Sequence, residues 1–294
     1  MINLWFVIIA FLWTGYFVLE GFDFGVGLLA PVLGRNAEEQ RQSLQTIGPV
    51  WDGNEVWLIT AVGAMFAAFP AWYAGLFSAF YLPVTLILVG LIVRGVGLEW
   101  RGKVANPIWC DLGIVVGSGL PAFLWGAIFA DVLFDSGTAA LVGGAFTLTL
   151  CVLHGAVFLA LKTTGPVRRR ARTAALAAAG VTIPVAVLAL SNLGSIPALA
   201  AMAALAAAAA LIWRRREGWA FGATAGGIVL ATLAVFIELR VSPLPGLTLA
   251  GAASGPYTLT MLSWIGLITL PFVLVYQGWT YWVFRRRVTL TAVS

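Results

Sequence analysis

Gly48-Pro49-Val50-Trp51-Asp52-Gly53-Asn54-Glu55-Val56-Trp57 places two carboxylates, an amide and two indoles at the mouth of a long apolar segment. Upstream, Glu20-Gly21-Phe22-Asp23-Phe24-Gly25-Val26-Gly27 puts two more acids near the end of another apolar segment. A charge in hydrocarbon costs about 2.5–3.5 kcal/mol on insertion scales, and such residues usually face a bundle interior or a water path. Four acids in two adjacent apolar segments are therefore expected to share an interior polar site.

The rest of the chain supports a membrane setting. Of 294 residues, 61% are hydrophobic and 10% charged, with a mean hydropathy of +0.97. Soluble domains carry roughly 25% charged residues, so the composition predicts an all-α integral membrane protein. Apolar runs of about 20 residues span a bilayer as helices. Nine are expected: Leu4–Leu29, Glu55–Phe69, Gly75–Leu98, Leu112–Leu133, Ala139–Leu161, Ala174–Leu193, Ile196–Trp213, Ala220–Ile237 and Leu259–Phe284. The second is short unless it begins at Pro49, which would bring Asp52 into its first turn. Met1-Ile2-Asn3 has no basic region or cleavage site of a signal peptide, so the first span is expected to stay.

Basic residues set the orientation. Sixteen of the seventeen Lys and Arg fall in or beside alternate connections. They are Arg35 and Arg41; Arg94, Arg101 and Lys103; Lys162, Arg168, Arg169, Arg170 and Arg172; Arg214, Arg215 and Arg216; and Arg285, Arg286 and Arg287. Only Arg240 lies on the other side. The positive-inside rule then places the N-terminus outside and the C-terminus in the cytoplasm, which requires an odd number of spans. A pI of about 9.6 follows from this topology and from the anionic inner leaflet, not from nucleic-acid binding. With no connection longer than roughly two dozen residues, residues 1–294 are expected to form a single transmembrane domain. Cys110 and Cys151 lack a metal-site spacing and read as small packing residues. The Ala-rich stretch Ala171–Leu211 reads as scaffold, since small residues let transmembrane helices approach closely.

The polar residues divide into candidates. Glu20 and Asp23 stand at i, i+3 on a helix, beside Gly21 and Gly25 at i, i+4. A Gly-xxx-Gly face draws in a neighbouring helix and would hold the acids away from lipid. The plainer alternative is that both acids sit at the cytoplasmic interface or pair with Arg94. Asp52 and Glu55 repeat the i, i+3 spacing. At a helix start with Pro49 they would complement the dipole, or, partly buried, they would carry protons; both readings stand. Arg94 is a natural partner for the inner-leaflet acids, because an unpaired buried charge is costly. Glu99 follows it in Arg94-Gly95-Val96-Gly97-Leu98-Glu99-Trp100-Arg101, and Asp111 opens the next span as an expected N-cap. His154 is the one histidine. It invites a haem-ligand reading but is expected to be a hydrogen-bonded packing residue, and no metal site is expected.

Taken together, Glu20–Gly27 and Trp51–Trp57 resemble the signature of subunit II of the cytochrome bd quinol oxidases. Leu33-Gly34-Arg35-Asn36, Ala64–Pro70, Tyr73 and Phe77–Tyr81 are similar to that family. So are Arg94–Arg101, Trp109-Cys110-Asp111 with Gly117, Ser118 and Pro121, and the terminal Tyr276, Trp279, Tyr281, Trp282 and Phe284. The likeness is dense over residues 15–125 and 258–286 and weak across the Ala-rich middle; the chain is short, with short external connections. The resemblance implies a nine-helix subunit that binds no cofactor alone and pairs with a haem-bearing, quinol-binding subunit I carrying two haems b and one haem d. The complex would oxidise quinol, reduce oxygen to water and draw protons from the cytoplasm, in a bacterial or archaeal cytoplasmic membrane. A small single-helix accessory subunit, membrane lipids and a bound structural quinone or lipid are compatible with it.

In that frame Asp52, Glu55, Asp23 and Glu20 are the expected proton pathway, with Asp52 matching the family's aspartate on a route at the subunit interface. Arg94, Glu99, Asn54 and Asp111 are the expected supporting polar network. Two alternatives remain: a purely structural scaffold for subunit I, and a proton-coupled secondary transporter. The transporter would be expected to show paired broken helices in two halves, whereas here the polar residues crowd one half.

Overall fold

The computed structural model describes residues 1–289. Among them the chain is helical, with two isolated bridges in place of strands. The helices are α1 (Ile2–Leu33), α2 (Ala37–Gln45), α3 (Trp51–Ala68), α4 (Pro70–Ala79), α5 (Tyr81–Trp100), α6 (Ile108–Phe134) and α7 (Gly137–Lys162). They continue with α8 (Gly165–Leu190), α9 (Ile196–Trp213), α10 (Glu217–Val241), α11 (Leu249–Ala252) and α12 (Pro256–Val283). Among the described residues, eight helices are long and apolar enough to cross a membrane: α1, α5, α6, α7, α8, α9, α10 and α12.

Two sequence expectations shift here. The span placed at Glu55–Phe69 is α3, which starts earlier, at Trp51. The polar residues Asp52, Asn54 and Glu55 in its first turns keep it out of that apolar set. The span placed at Gly75–Leu98 is broken at Phe80, whose φ of −109° and ψ of 34° separate α4 from α5.

Polar cross-links show which helix ends meet. The Trp5 indole donates to the Leu259 carbonyl at 3.1 Å, and Ser254 bonds to the carbonyls of Ala67 and Ala68. Those contacts gather the start of α1, the end of α3 and the start of α12 at one end of the bundle. At the other end, Arg101 donates to Gln40 and Asp111, and Arg170 to the carbonyl of Leu33 and to Glu39. Arg168 and Arg172 pair with Glu217, and Lys162 caps the carbonyls of Phe284 and Arg286. The basic connections are therefore assembled on one side.

The small helix α2 illustrates the local chemistry at that basic end. The Asn36 side chain accepts from the Glu39 amide at 2.9 Å, the usual N-cap bond. The Glu39 carboxylate in turn accepts from the Arg35 amide at 2.7 Å and from the Arg170 guanidinium at 2.5 Å. The Arg170 hydrogen bond, followed by the Arg35 amide, holds the Glu39 carboxyl below its ordinary value. A carboxyl depressed in the folded state stabilises above its unfolded pKa and loses that contribution as pH falls through the folded one. Glu39→Gln is therefore expected to lower the thermal midpoint at neutral pH, by an amount that shrinks on acidification; a pH-independent difference would contradict it.

Inside the bundle, α1 is the central strut, in contact with α3, α6, α7 and α10. The close helix expected at Gly25 is α7: a Cβ on Gly25 would lie 2.0 Å from the Cys151 carbonyl, and one on Gly155 2.5 Å from Gly25 itself. Gly117 of α6 likewise meets the Gly90 carbonyl of α5. These contacts set α1, α7, α5 and α6 near enough to enclose the acids of α1. α12 carries a long exposed apolar face, where Leu267, Phe272, Val275 and Trp279 all lie open.

Candidate functional site: a buried carboxylate–guanidinium cluster

The cluster forms where α1, α3, α5 and α12 meet. Helical spacing turns Glu20 and Asp23 of α1 to the same interior side, and both are fully buried. Arg94, near the end of α5, is also fully buried and donates from one terminal nitrogen, Nη1, to Glu20 and, at 2.9 Å, to Glu55. The guanidinium carbon lies 5.0 Å from the centre of the Phe24 ring, adding a cation–π contact. Glu55, on α3, keeps 23% side-chain exposure, so it forms the cluster's edge.

Asn54 is the hinge of the site. Its amide nitrogen donates to Asp23 at 2.6 Å and to the Leu19 carbonyl at 3.4 Å. Its amide oxygen accepts from Gln277 at 3.0 Å and from the Tyr281 hydroxyl at 2.9 Å. One buried amide thus joins α1, α3 and α12. Both heteroatoms of the amide are engaged, as burial demands. Glu20 and Glu55 share one guanidinium with Asp23 a turn away from Glu20, and Glu20 Oε2, Asp23 Oδ1, Arg94 Nε and Arg94 Nη2 find no partner among the described residues. Such an arrangement holds polar atoms ready for water or a proton.

Other expected site residues lie elsewhere. Asp52 occupies the first turn of α3 but points outward and is exposed, so the four acids do not share one interior site; three do. The α-helical phase explains it: Asp52 and Glu55 are neighbours on one face, but only the later residue reaches back to Arg94. Asp111 does not cap α6, whose N-cap is Pro107. It pairs instead with Arg101, at 2.5 Å from Nε and 3.4 Å from Nη2. Glu99 is 63% exposed and pairs with Lys103 at the surface, apart from Arg94.

Sequence reasoning missed Gln277 and Tyr281 as site residues. Their i, i+4 spacing put both on one face of α12, but nothing local linked that face to Asn54. His154 is buried, stacked on Phe221, with Nδ1 2.7 Å from the Thr224 hydroxyl and Nε2 3.2 Å from the Val18 carbonyl. Since a carbonyl only accepts, Nε2 is assigned the proton and Nδ1 accepts from Thr224. Among the described residues there is no group of three or more His, Cys, Asp or Glu able to hold a metal ion.

A helical bundle with apolar spans and a charged cluster set among them defines a multi-pass membrane protein. The family model described as "Cytochrome bd terminal oxidase subunit II" matches residues 1–284. The chain is 39% identical to the cytochrome bd ubiquinol oxidase subunit 2 of Bacillus subtilis, over 98% of this chain and 96% of that one. It is 30% identical to the cytochrome bd-I ubiquinol oxidase subunit 2 of Escherichia coli K12, over 97% and 94%. A chain in the structure of bd oxidase from Geobacillus thermodenitrificans shares the fold, with a TM-score of 0.75 at 18% identity, covering 93% of this chain and 97% of that one. The protein belongs to the cytochrome bd terminal oxidase subunit II family and is one subunit of an oxidoreductase complex.

Proposed function

We propose that this chain is the haem-free subunit of a bd-type quinol:oxygen oxidoreductase, paired with the haem-bearing subunit I in a prokaryotic cytoplasmic membrane. Its role there is to support proton uptake from the cytoplasm while oxygen is reduced to water. It crosses the membrane nine times, α3 being the polar crossing, with the N-terminus outside and the basic end in the cytoplasm. The observation that carries the proton role is Glu20 and Glu55 on the single guanidinium of Arg94, with Asp23 buried beside Glu20 and bonded by Asn54. Buried acids in excess of their cation suit a site that takes up and passes on a proton. Glu55, partly exposed at the edge, and Asp52, outside it on the same helix, lie in the order an inward route needs.

The same Arg94 also supports a second reading, a structural scaffold, because its two bonds pin α1, α3 and α5 together. The exposed apolar face of α12 offers either role a surface for lipid or subunit I.

Purification through a tag on this chain tests the assignment. Haem b and haem d bands are expected to arrive with a second large subunit, and a preparation free of haem would point to a transporter instead. In that complex, His154→Ala is expected to leave the haem ratio unchanged, because both imidazole nitrogens are already engaged. Loss of one haem b alone from an assembled complex would make His154 a ligand.

A further inference from the structure

A second polar feature lies beside the cluster but does different chemistry. Between the end of α7, the start of α10 and the end of α12 is a cleft with about 290 Å³ of room for water-sized groups. Lys162, Arg285 and Arg287 line it, and Phe158, Phe221 and Phe284 form its apolar wall. Lys162 and Arg287 are held in place by backbone: Lys162 caps the Phe284 and Arg286 carbonyls, and Arg287 Nε donates to the Leu161 carbonyl at 3.0 Å. Arg285 stacks over Trp282 at 4.4 Å and donates to its carbonyl. Among the described residues no carboxylate pairs with any of the three. Their remaining N–H groups make no hydrogen bond to described residues.

Arg101, Arg168, Arg170 and Arg172, also at the basic end, each have an acidic partner. Three cations with no carboxylate partner among the described residues line one recess, and their summed potential draws in an anion. The same potential disfavours the cleft as an entrance for a hydrated proton, although Tyr281 on its wall reaches Asn54. The cleft sits where α7 and α12 end, beside the exposed aromatics Trp282 and Phe284, the composition of a membrane–water boundary. Basic recesses between helices at such a boundary recognise lipid headgroups.

We infer that this cleft binds the phosphate of an anionic glycerophospholipid, with Lys162, Arg285 and Arg287 on the headgroup and an acyl chain along Phe158, Phe221 and Phe284. The site is distinct from the Glu20–Arg94 cluster and does not depend on its role.

The test uses the intact complex in phosphatidylcholine nanodiscs with and without phosphatidylglycerol. The parent is expected to retain phosphatidylglycerol through extensive washing, read by native mass spectrometry. Removing a charge weakens such contacts by about fivefold, so Arg285→Gln with Arg287→Gln is expected to lose most of the bound lipid. Arg285→Lys with Arg287→Lys keeps the charge and is expected to retain it, which separates lipid loss from misfolding. The parent alone provides a further arm, with a higher thermal midpoint expected in phosphatidylglycerol-containing discs. Equal retention by the Gln pair, or no midpoint difference in the parent, would overturn the site. Displacement of the lipid by millimolar inorganic phosphate would make it a free-anion site and overturn the lipid assignment.

Discussion

Arg94→Met is expected to abolish accumulation of the assembled complex. The substitution keeps bulk along α5 but leaves Glu20 and Asp23, both fully buried, and Glu55 without their cation. Breaking a buried pair by removing one partner costs about 3–5 kcal/mol, a large share of a typical stability of about 5–15 kcal/mol. Arg94→Lys retains the charge but not the planar fork, and intermediate yield is expected. The measurement is the amount of tagged chain extracted from membranes with its partner, at matched expression. Adding Glu20→Gln to Arg94→Met removes one stranded charge, so the double variant is expected to recover part of the yield. Full yield from Arg94→Met alone would show that the guanidinium is not what balances these acids.

Asp23→Asn is expected to leave assembly near normal and slow oxygen turnover at least tenfold. The Asn side chain can still accept the 2.6 Å bond from Asn54, so the link between α1 and α3 survives. Only the ionisable carboxyl is removed. Each tenfold loss corresponds to about 1.4 kcal/mol in the limiting step. Oxygen consumption per mole of haem is the quantity to follow, since it is independent of yield. Asp52→Asn is the companion variant. Asp52 is exposed on α3 and its side chain makes no hydrogen bond or ion pair among the described residues, so the substitution should not disturb the fold. A loss of turnover there places Asp52 on the route into the cluster, at the surface where a partner subunit would cover it. If both variants turn over at the parental rate, the acids only pair and pack, and the scaffold reading replaces proton uptake.

The helical membrane character was legible in the sequence because each cause is local. Runs of about 20 apolar residues close their own backbone hydrogen bonds, and the alternation of basic connections needs no contact to be read. Gly25 announced a close neighbour for the same reason, since only a missing Cβ admits the Cys151 carbonyl at that distance. The acids announced a polar interior because hydrocarbon tolerates them nowhere else.

What only the tertiary structure decided is which acids meet. Asp52 and Glu55 are three residues apart on one helix, yet one is exposed and the other bonds Arg94. That outcome depends on the rotation of α3 against α1 and α5, which no window of its own sequence contains. Asp111, read as a cap, instead found Arg101 across the α5–α6 connection. Gln277 and Tyr281 reach Asn54 from more than two hundred residues away. Local composition determines that a segment enters the membrane and how its charges must be shielded; the packing of separate helices determines which partner does the shielding, because a buried charge is satisfied by whatever geometry brings within hydrogen-bond reach.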